Sequence, residues 1–136
     1  MADTFDLEVA TPERLVFREA VTEAQIPAKN GYIGVLPGHA PLLSQLGTGY
    51  ASYVAQGRKA FFSVHGGFVE VLPDKVRVLA ETVEKAEEID VQRAQTALKR
   101  AQEQLSSPHV EVDPALALSA MFRAQARLEA VAQARK

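Results

Sequence analysis

Phe5 to Val9, read as FDLEV, alternates apolar and acidic side chains. A period of two buries one face of a strand and leaves the other wet. Further short runs rich in β-branched or aromatic residues follow: AQIPA, YIGVL, GYASYV, KAFFSV, FVEVL and KVRVLA. Turn signals separate them: Lys29-Asn30-Gly31, Pro37-Gly38, Gly47-Thr48-Gly49, Gln56-Gly57-Arg58, Gly66-Gly67 and Pro73-Asp74-Lys75. Short strands with turns every ~8–12 residues predict a β-sandwich or barrel. Gln56-Gly57 is placed to close a hairpin between GYASYV and KAFFSV, because glycine supplies the positive φ of a tight turn. Gly66-Gly67 reads as another turn between strands.

From about Ala86 the period changes. EEIDVQRAQTALKRAQ, Glu87 to Gln102, reads as helix from end to end, with Val91, Ala94, Leu98, Ala101 and Leu105 as its apolar seam. SSPHVEVD interrupts it, since Pro108 cannot continue a helix. Asp113-Pro114 then offers an N-cap followed by proline at the first helical position. Ala117, Met121, Ala124, Leu128 and Val131 form the second seam. The expected organisation is a β-sandwich over residues 1–85 and an antiparallel two-helix hairpin over 86–136. Alanine-rich seams pack closely but bury little area. At about 25 cal/mol per Å² of apolar surface, such a hairpin is marginal alone and should lean on the β domain or on a partner.

Composition narrows the function. The 136 residues are 47% hydrophobic with a net charge of -2, which supports a real core and argues against a generic nucleic-acid binder. With no cysteine, disulfides and thiolate metal sites are excluded. The N-terminus has neither a basic region followed by an apolar run nor a transit-like composition. No apolar stretch approaches the ~20 residues of a membrane helix. A soluble protein of bacterial type is expected, meeting a membrane only through a partner.

No catalytic constellation is present. His39, His65 and His109 are far apart and lack the spacing of a zinc helix. There is no G-x-S-x-G elbow and no phosphate-cradling G-x-x-x-x-G-K-[ST]. NGYIGVLPGHAPLL, Asn30 to Leu43, reads either as a loop blunting a sheet edge or as an apolar docking face. On the first helix, Asp90, Arg93 and Arg100 fall within about 80° of one another at 100° per residue. Arg123 and Arg127 share an edge of the second helix. If the two edges meet, four guanidiniums gather near one carboxylate. Such a cluster suits phosphate oxygens, although from the pattern alone a solvated face with arginine stems covering the seam is the favoured reading.

Several stretches together resemble one family, the epsilon subunit of the F-type ATP synthase. FDLEVATPERLVF looks like its first strand and turn. GYIGVLPGHAPLL, GGFVEVLPDKVRVLAETVE and EEIDVQRAQTALKRAQ follow in the family's order. The turn at Pro73-Asp74 and the acid at Glu81 depart from many relatives but are compatible with the fold. The resemblance implies a non-catalytic central-stalk rotor subunit that binds the gamma subunit and the c-ring and couples proton flow to ATP synthesis. It implies no required cofactor, no nucleic acid and no direct membrane insertion. The implied location is the cytoplasmic face of the bacterial plasma membrane, as a peripheral part of the complex. Gly31, Leu36, Pro37, Gly38, His39 and Pro41 become expected partner contacts. The resemblance further implies a movable hairpin that restrains ATP hydrolysis when extended against an acidic loop of the beta subunit. Ile89-Asp90-Val91-Gln92-Arg93-Ala94 matches the family's [IL]-D-x-x-R-A motif, which implies ATP as a regulatory ligand held by Glu84, Asp90, Arg93, Arg100, Arg123 and Arg127. Read without the resemblance, the residues also admit a free-standing ATP sensor or a scaffold with a partner-binding hairpin.

Overall fold

A computed structural model of the chain describes residues 3–107 and 111–136. Pro108 and His109 lie outside the described residues. The order is β1 (Phe5–Ala10), β2 (Leu15–Val21), β3 (Glu23–Ala28), β4 (Gly31–Val35), β5 (Leu42–Gln45), β6 (Gly49–Ala55), β7 (Arg58–Leu72), β8 (Lys75–Lys85), a 3-10 turn (Ala86–Glu88), α1 (Val91–Ser106) and α2 (Pro114–Ala134).

The eight strands form one hydrogen-bonded sheet in the order β2-β1-β8-β7-β6-β3-β4, with β5 also paired to β7. It closes into a sandwich because β7 and β8 are long enough to serve both layers. Residues 68–71 of β7 pair with β5, and residues 58–64 pair with β6. The start of β8 takes β1 as a parallel neighbour. One core fills the space between the layers: Phe5, Leu7 and Val9 from β1, Val69, Val71, Val76 and Val78 from the long strands, and Ile26, Ala51, Phe62 and Val64 from the other layer. The alternation seen in FDLEV is realised directly, with Phe5, Leu7 and Val9 inward and Asp6 and Glu8 outward. The outward Glu8 meets Arg18 of β2 and Lys75 and Arg77 of β8, the two strands that flank β1.

Gly66-Gly67 is not a turn between strands. β7 runs through it, and His65 still pairs with Thr82 and Gly67 with Ala80 in one register. The glycines take φ of +66° and +101° at the point where β7 changes partner, and they bend the strand from one layer into the other. A Cβ on Gly67 would lie 1.9 Å from the Leu79 carbonyl oxygen, so only glycine fits. Gln56 (φ 53°) and Gly57 (φ 75°) do close the expected two-residue hairpin, with Ala55 opposite Arg58. The sequence reading passed over β2 and β5 as strands. LVFREAV places an arginine and an acid side by side among its apolar residues, and LLSQ is only four residues long.

The first helix also begins later than Glu87. Ala86–Glu88 form a single 3-10 turn, Ile89 is extended, and Asp90 is the N-cap of α1, its carboxylate accepting the Arg93 backbone N–H at 3.0 Å. Asp113 caps α2 in the same way through the Ala115 N–H at 2.9 Å, with Pro114 as the first helical residue. The hairpin seam is alanine: Ala94 and Ala101 are buried on α1, and Ala117 and Ala124 on α2. Among the described residues no helix is long and apolar enough to cross a membrane.

Candidate functional site

The second helix docks on the outer face of one sandwich layer. Cross-strand pairing puts Tyr50 beside Ser63, Ser52 beside Phe61, and His65 beside Thr82. These side chains share the face opposite Phe62 and Val64. Ser52 and Ser63 are buried, and their small size lets the helix come close. Ala130 and Val131 of α2 complete a small apolar cluster with Ala86 and Ile89, flanked by Tyr50, Phe61 and Val91. The 3-10 turn and its exit thus wedge between sandwich and helix. Among the described residues one ion pair crosses this interface, with Arg127 of α2 donating from Nε to the Glu84 carboxylate of β8.

Two adjoining clefts lie along the start of α1, the smaller of them lined by that ion pair. A groove of about 750 Å³ runs along α1, lined by Asp90, Gln92, Arg93, Thr96, Ala97, Arg100 and Gln104, with Ala120 of α2 forming part of its wall. A cleft of about 400 Å³ is lined by Glu84, Glu88, Asp90, Arg93, Ala97 and Arg127. Asp90, Arg93 and Ala97 line both, so the two adjoin along the start of α1. The helical spacing explains the arrangement: Arg93 and Arg100 lie two turns apart on one edge, and Asp90 is fixed at the helix entrance by its capping bond. The exposed N–H groups of that first turn add a positive end to the same region. The chemistry on offer is anion binding by guanidiniums beside carboxylates that can accept hydrogen bonds from hydroxyl or amino groups.

Five of the six expected ligand-binding residues, Glu84, Asp90, Arg93, Arg100 and Arg127, line one or both of these adjoining clefts. Arg123 does not. Its guanidinium donates to the Ser119 hydroxyl at 2.8 Å and faces a narrow crevice shared with His65, Thr82 and Arg127. The four arginines therefore do not gather into one cluster; a turn of helix separates Arg123 from the cleft mouth. Sequence reasoning missed Glu88, Gln92, Thr96 and Gln104, which a helical projection from Asp90 and Arg93 could have included. It also missed His65, whose place opposite α2 depends on strand pairing that no local pattern reveals.

The expected partner-contact residues divide in two. Leu36, Pro37, Gly38, His39 and Pro41 form the loop after β4, with Leu36 60% exposed. This loop is fastened to the β7–β8 turn by the Gly38 N–H on the Pro73 carbonyl at 3.0 Å, and internally by the His39 N–H on Leu36 at 3.2 Å. Gly31 lies at the opposite end of β4, in the turn from β3, with φ +126°. The loop continues into an exposed apolar ledge at Leu42 and Leu43, where a cavity of about 270 Å³ opens beside Pro41 and Leu72.

Comparison with known proteins covers the full length. Residues 4–86 match the family model described as the beta-sandwich domain of the ATP synthase Delta/Epsilon chain. Residues 87–132 match the long alpha-helix domain of the same chain. The ATP synthase epsilon chain of Solibacter usitatus is 61% identical over 128 residues, spanning 94% of this chain and 96% of the relative. That of Koribacter versatilis is 52% identical over 107 residues, 79% of this chain and 75% of the relative. Among solved structures, a chain of the Euglena gracilis mitochondrial ATP synthase superposes with a TM-score of 0.78 at 24% identity, over 100% of this chain and 84% of its own.

Proposed function

The chain belongs to the family of ATP synthase epsilon chains, rotor subunits of the central stalk, and from that premise we propose that it acts without catalysis of its own, through a hairpin whose docking reports the level of ATP. The similar Euglena chain comes from an assembly of OSCP, F1 and c-ring, which supports a place between the catalytic head and the ring. The sandwich serves as the fixed part. Its loop at Leu36 to Pro41 and the apolar ledge at Leu42 and Leu43 are the surfaces we assign to the c-ring and the gamma subunit. The hairpin serves as the moving part. Released, it presents Arg123 and Arg127 to an acidic loop of the beta subunit and restrains hydrolysis. The complex meets the bacterial plasma membrane on its cytoplasmic face, and this subunit is held there by its partners.

The observation that carries this reading is the composition of the cleft wall. The sandwich supplies Glu84, α1 supplies Asp90, Arg93 and Arg100, and α2 supplies Arg127. A nucleotide bound there touches both helices and the sandwich at once, so it prefers the docked hairpin and shifts the population toward it. No cofactor is needed for the coupling role; ATP enters as a regulatory ligand only. Calorimetric titration of the chain with ATP tests the site. Binding in the unsubstituted chain that is lost in both Arg93→Ala and Arg127→Ala is the expected result. An unsubstituted chain that takes up no ATP overturns the nucleotide role and leaves these arginines as a partner-facing edge. Co-purification of the gamma subunit with the tagged chain separates the rotor role from a free-standing sensor.

A further inference from the structure

His65 occupies a position that the nucleotide reading does not use. It sits on β7 immediately before the glycine bend, on the face covered by α2. Its Nδ1 lies 2.7 Å from the Thr48 hydroxyl, in the segment leading into β6. Its Nε2 lies 3.9 Å from the Glu81 carboxylate on β8. From α2, Arg123 and Arg127 close the crevice over it. Among the described residues these are the charged groups facing the ring: one carboxylate from the sandwich and two guanidiniums from the helix. Glu84 offsets part of the Arg127 charge, whereas Arg123 is bonded to the neutral Ser119 hydroxyl and Glu81 is mostly exposed to solvent, so the balance at the ring is positive and comes chiefly from Arg123 on the moving element.

We propose that His65 is a proton-operated latch on the hairpin: its neutral form accepts α2 against the sandwich, and its protonated form opposes the Arg123 and Arg127 guanidiniums and favours release. This rests on the reading of the hairpin as the moving part. The neutral ring needs one hydrogen bond, which Thr48 supplies by donating to Nδ1 or accepting from it. Protonation makes both nitrogens donors and adds a cation beside two others in a partly desolvated crevice. Burial and Arg123 push the imidazole below its ordinary value, Glu81 opposes them, and Arg127 adds to the depression. The sign follows. The docked state binds the proton less readily than the released state, where the ring is free of α2. Docking is therefore at full strength above the ordinary imidazole value of 6.5 and weakens as pH falls through and below it. Acidification and loss of ATP then act in the same direction on one hinge.

The chain has no native cysteine, so a donor–acceptor pair placed at Arg58→Cys and Lys99→Cys reports the sandwich-to-hairpin distance in the full-length protein. The expected result is a released fraction that grows several-fold between pH 7.5 and pH 5.5. His65→Gln, which keeps a hydrogen-bonding group beside Thr48, removes that dependence. Arg123→Gln flattens it, because the docked and released states then differ less in proton affinity. Glu81→Gln moves the response to lower pH. A distance that ignores pH while still responding to ATP or to Arg127→Gln overturns the latch and leaves the movable hairpin standing. A distance that responds to none of the three overturns both. A His65→Gln profile that matches the unsubstituted chain assigns the pH response elsewhere and also overturns the latch.

Discussion

The two parts of this chain are built from different side chains, and the difference explains what each can do. The sandwich buries Phe62, Leu7, Ile26 and a set of valines completely. Its outer surface is tied across strands by the ion pairs around Glu8. Removing any of these large residues exposes or empties a great deal of volume, so the layer pair is rigid and cooperative. The hairpin buries alanines instead, and it meets the sandwich through a small apolar cluster and the Arg127–Glu84 ion pair. A helix held by little apolar area and by groups that titrate or accept a ligand can exchange between two positions at modest cost. Under the proposed function, the rigid half carries the docking surfaces and the weak half carries the signal.

The strongest way to break this comparison is at the sandwich core. Phe62→Ala should lower stability by about 3–5 kcal/mol, read as a shift of the urea midpoint with the whole chain unfolding together. A small local effect there would mean the sandwich is not the rigid partner. Next comes the hairpin seam. Ala124 is fully buried against α1, and Ala124→Leu should cost about 1–3 kcal/mol by overpacking. That loss should appear as loosened helices in hydrogen exchange while the sandwich amides keep their protection. Smaller still, Arg127→Gln removes a partly exposed ion pair worth less than about 1 kcal/mol. It should barely move the urea midpoint and yet lengthen the sandwich-to-hairpin distance. A large stability loss with no change in distance would make Arg127 a structural residue only.

The finest contrast is in acid. Partial desolvation raises the Glu8 carboxyl, but the Arg77 hydrogen bond and the charges of Lys75 and Arg18 outweigh it and hold the group below its ordinary value. Its contribution to the sandwich is present above the ordinary value of 4.5 and is lost as pH falls below that. The hairpin should therefore release in mildly acidic solution while the sandwich survives to lower pH. Glu8→Gln should reduce the acid sensitivity of sandwich unfolding below pH 4.5 and leave hairpin release untouched. Coincident acid transitions in the unsubstituted chain would erase the distinction between the two parts.

Much of this was legible along the chain because the determinants are local. Alternation in FDLEV set one strand face, Gln56-Gly57 set a hairpin, and the three-and-four spacing with Asp113-Pro114 set two helices and their break. The [IL]-D-x-x-R-A match placed Asp90 and Arg93 together, since residues three apart on a helix entrance must be neighbours. Other features depended on residues distant in sequence. That Gly66-Gly67 bends a continuous strand follows from its having β6 as neighbour before the bend and β5 after it. Arg127 reaches Glu84 only because β8 ends beneath α2, and Arg123 misses the cleft because its turn of the helix faces the crevice over His65. Thr48, Glu81 and the two arginines surround that histidine from three separate elements. The sequence by itself determined periodicity, caps and turns, which are settled by neighbours within a few residues. Only the tertiary structure decided which charges meet across the domain boundary, because that depends on strand pairing and helix docking that close loops of tens of residues.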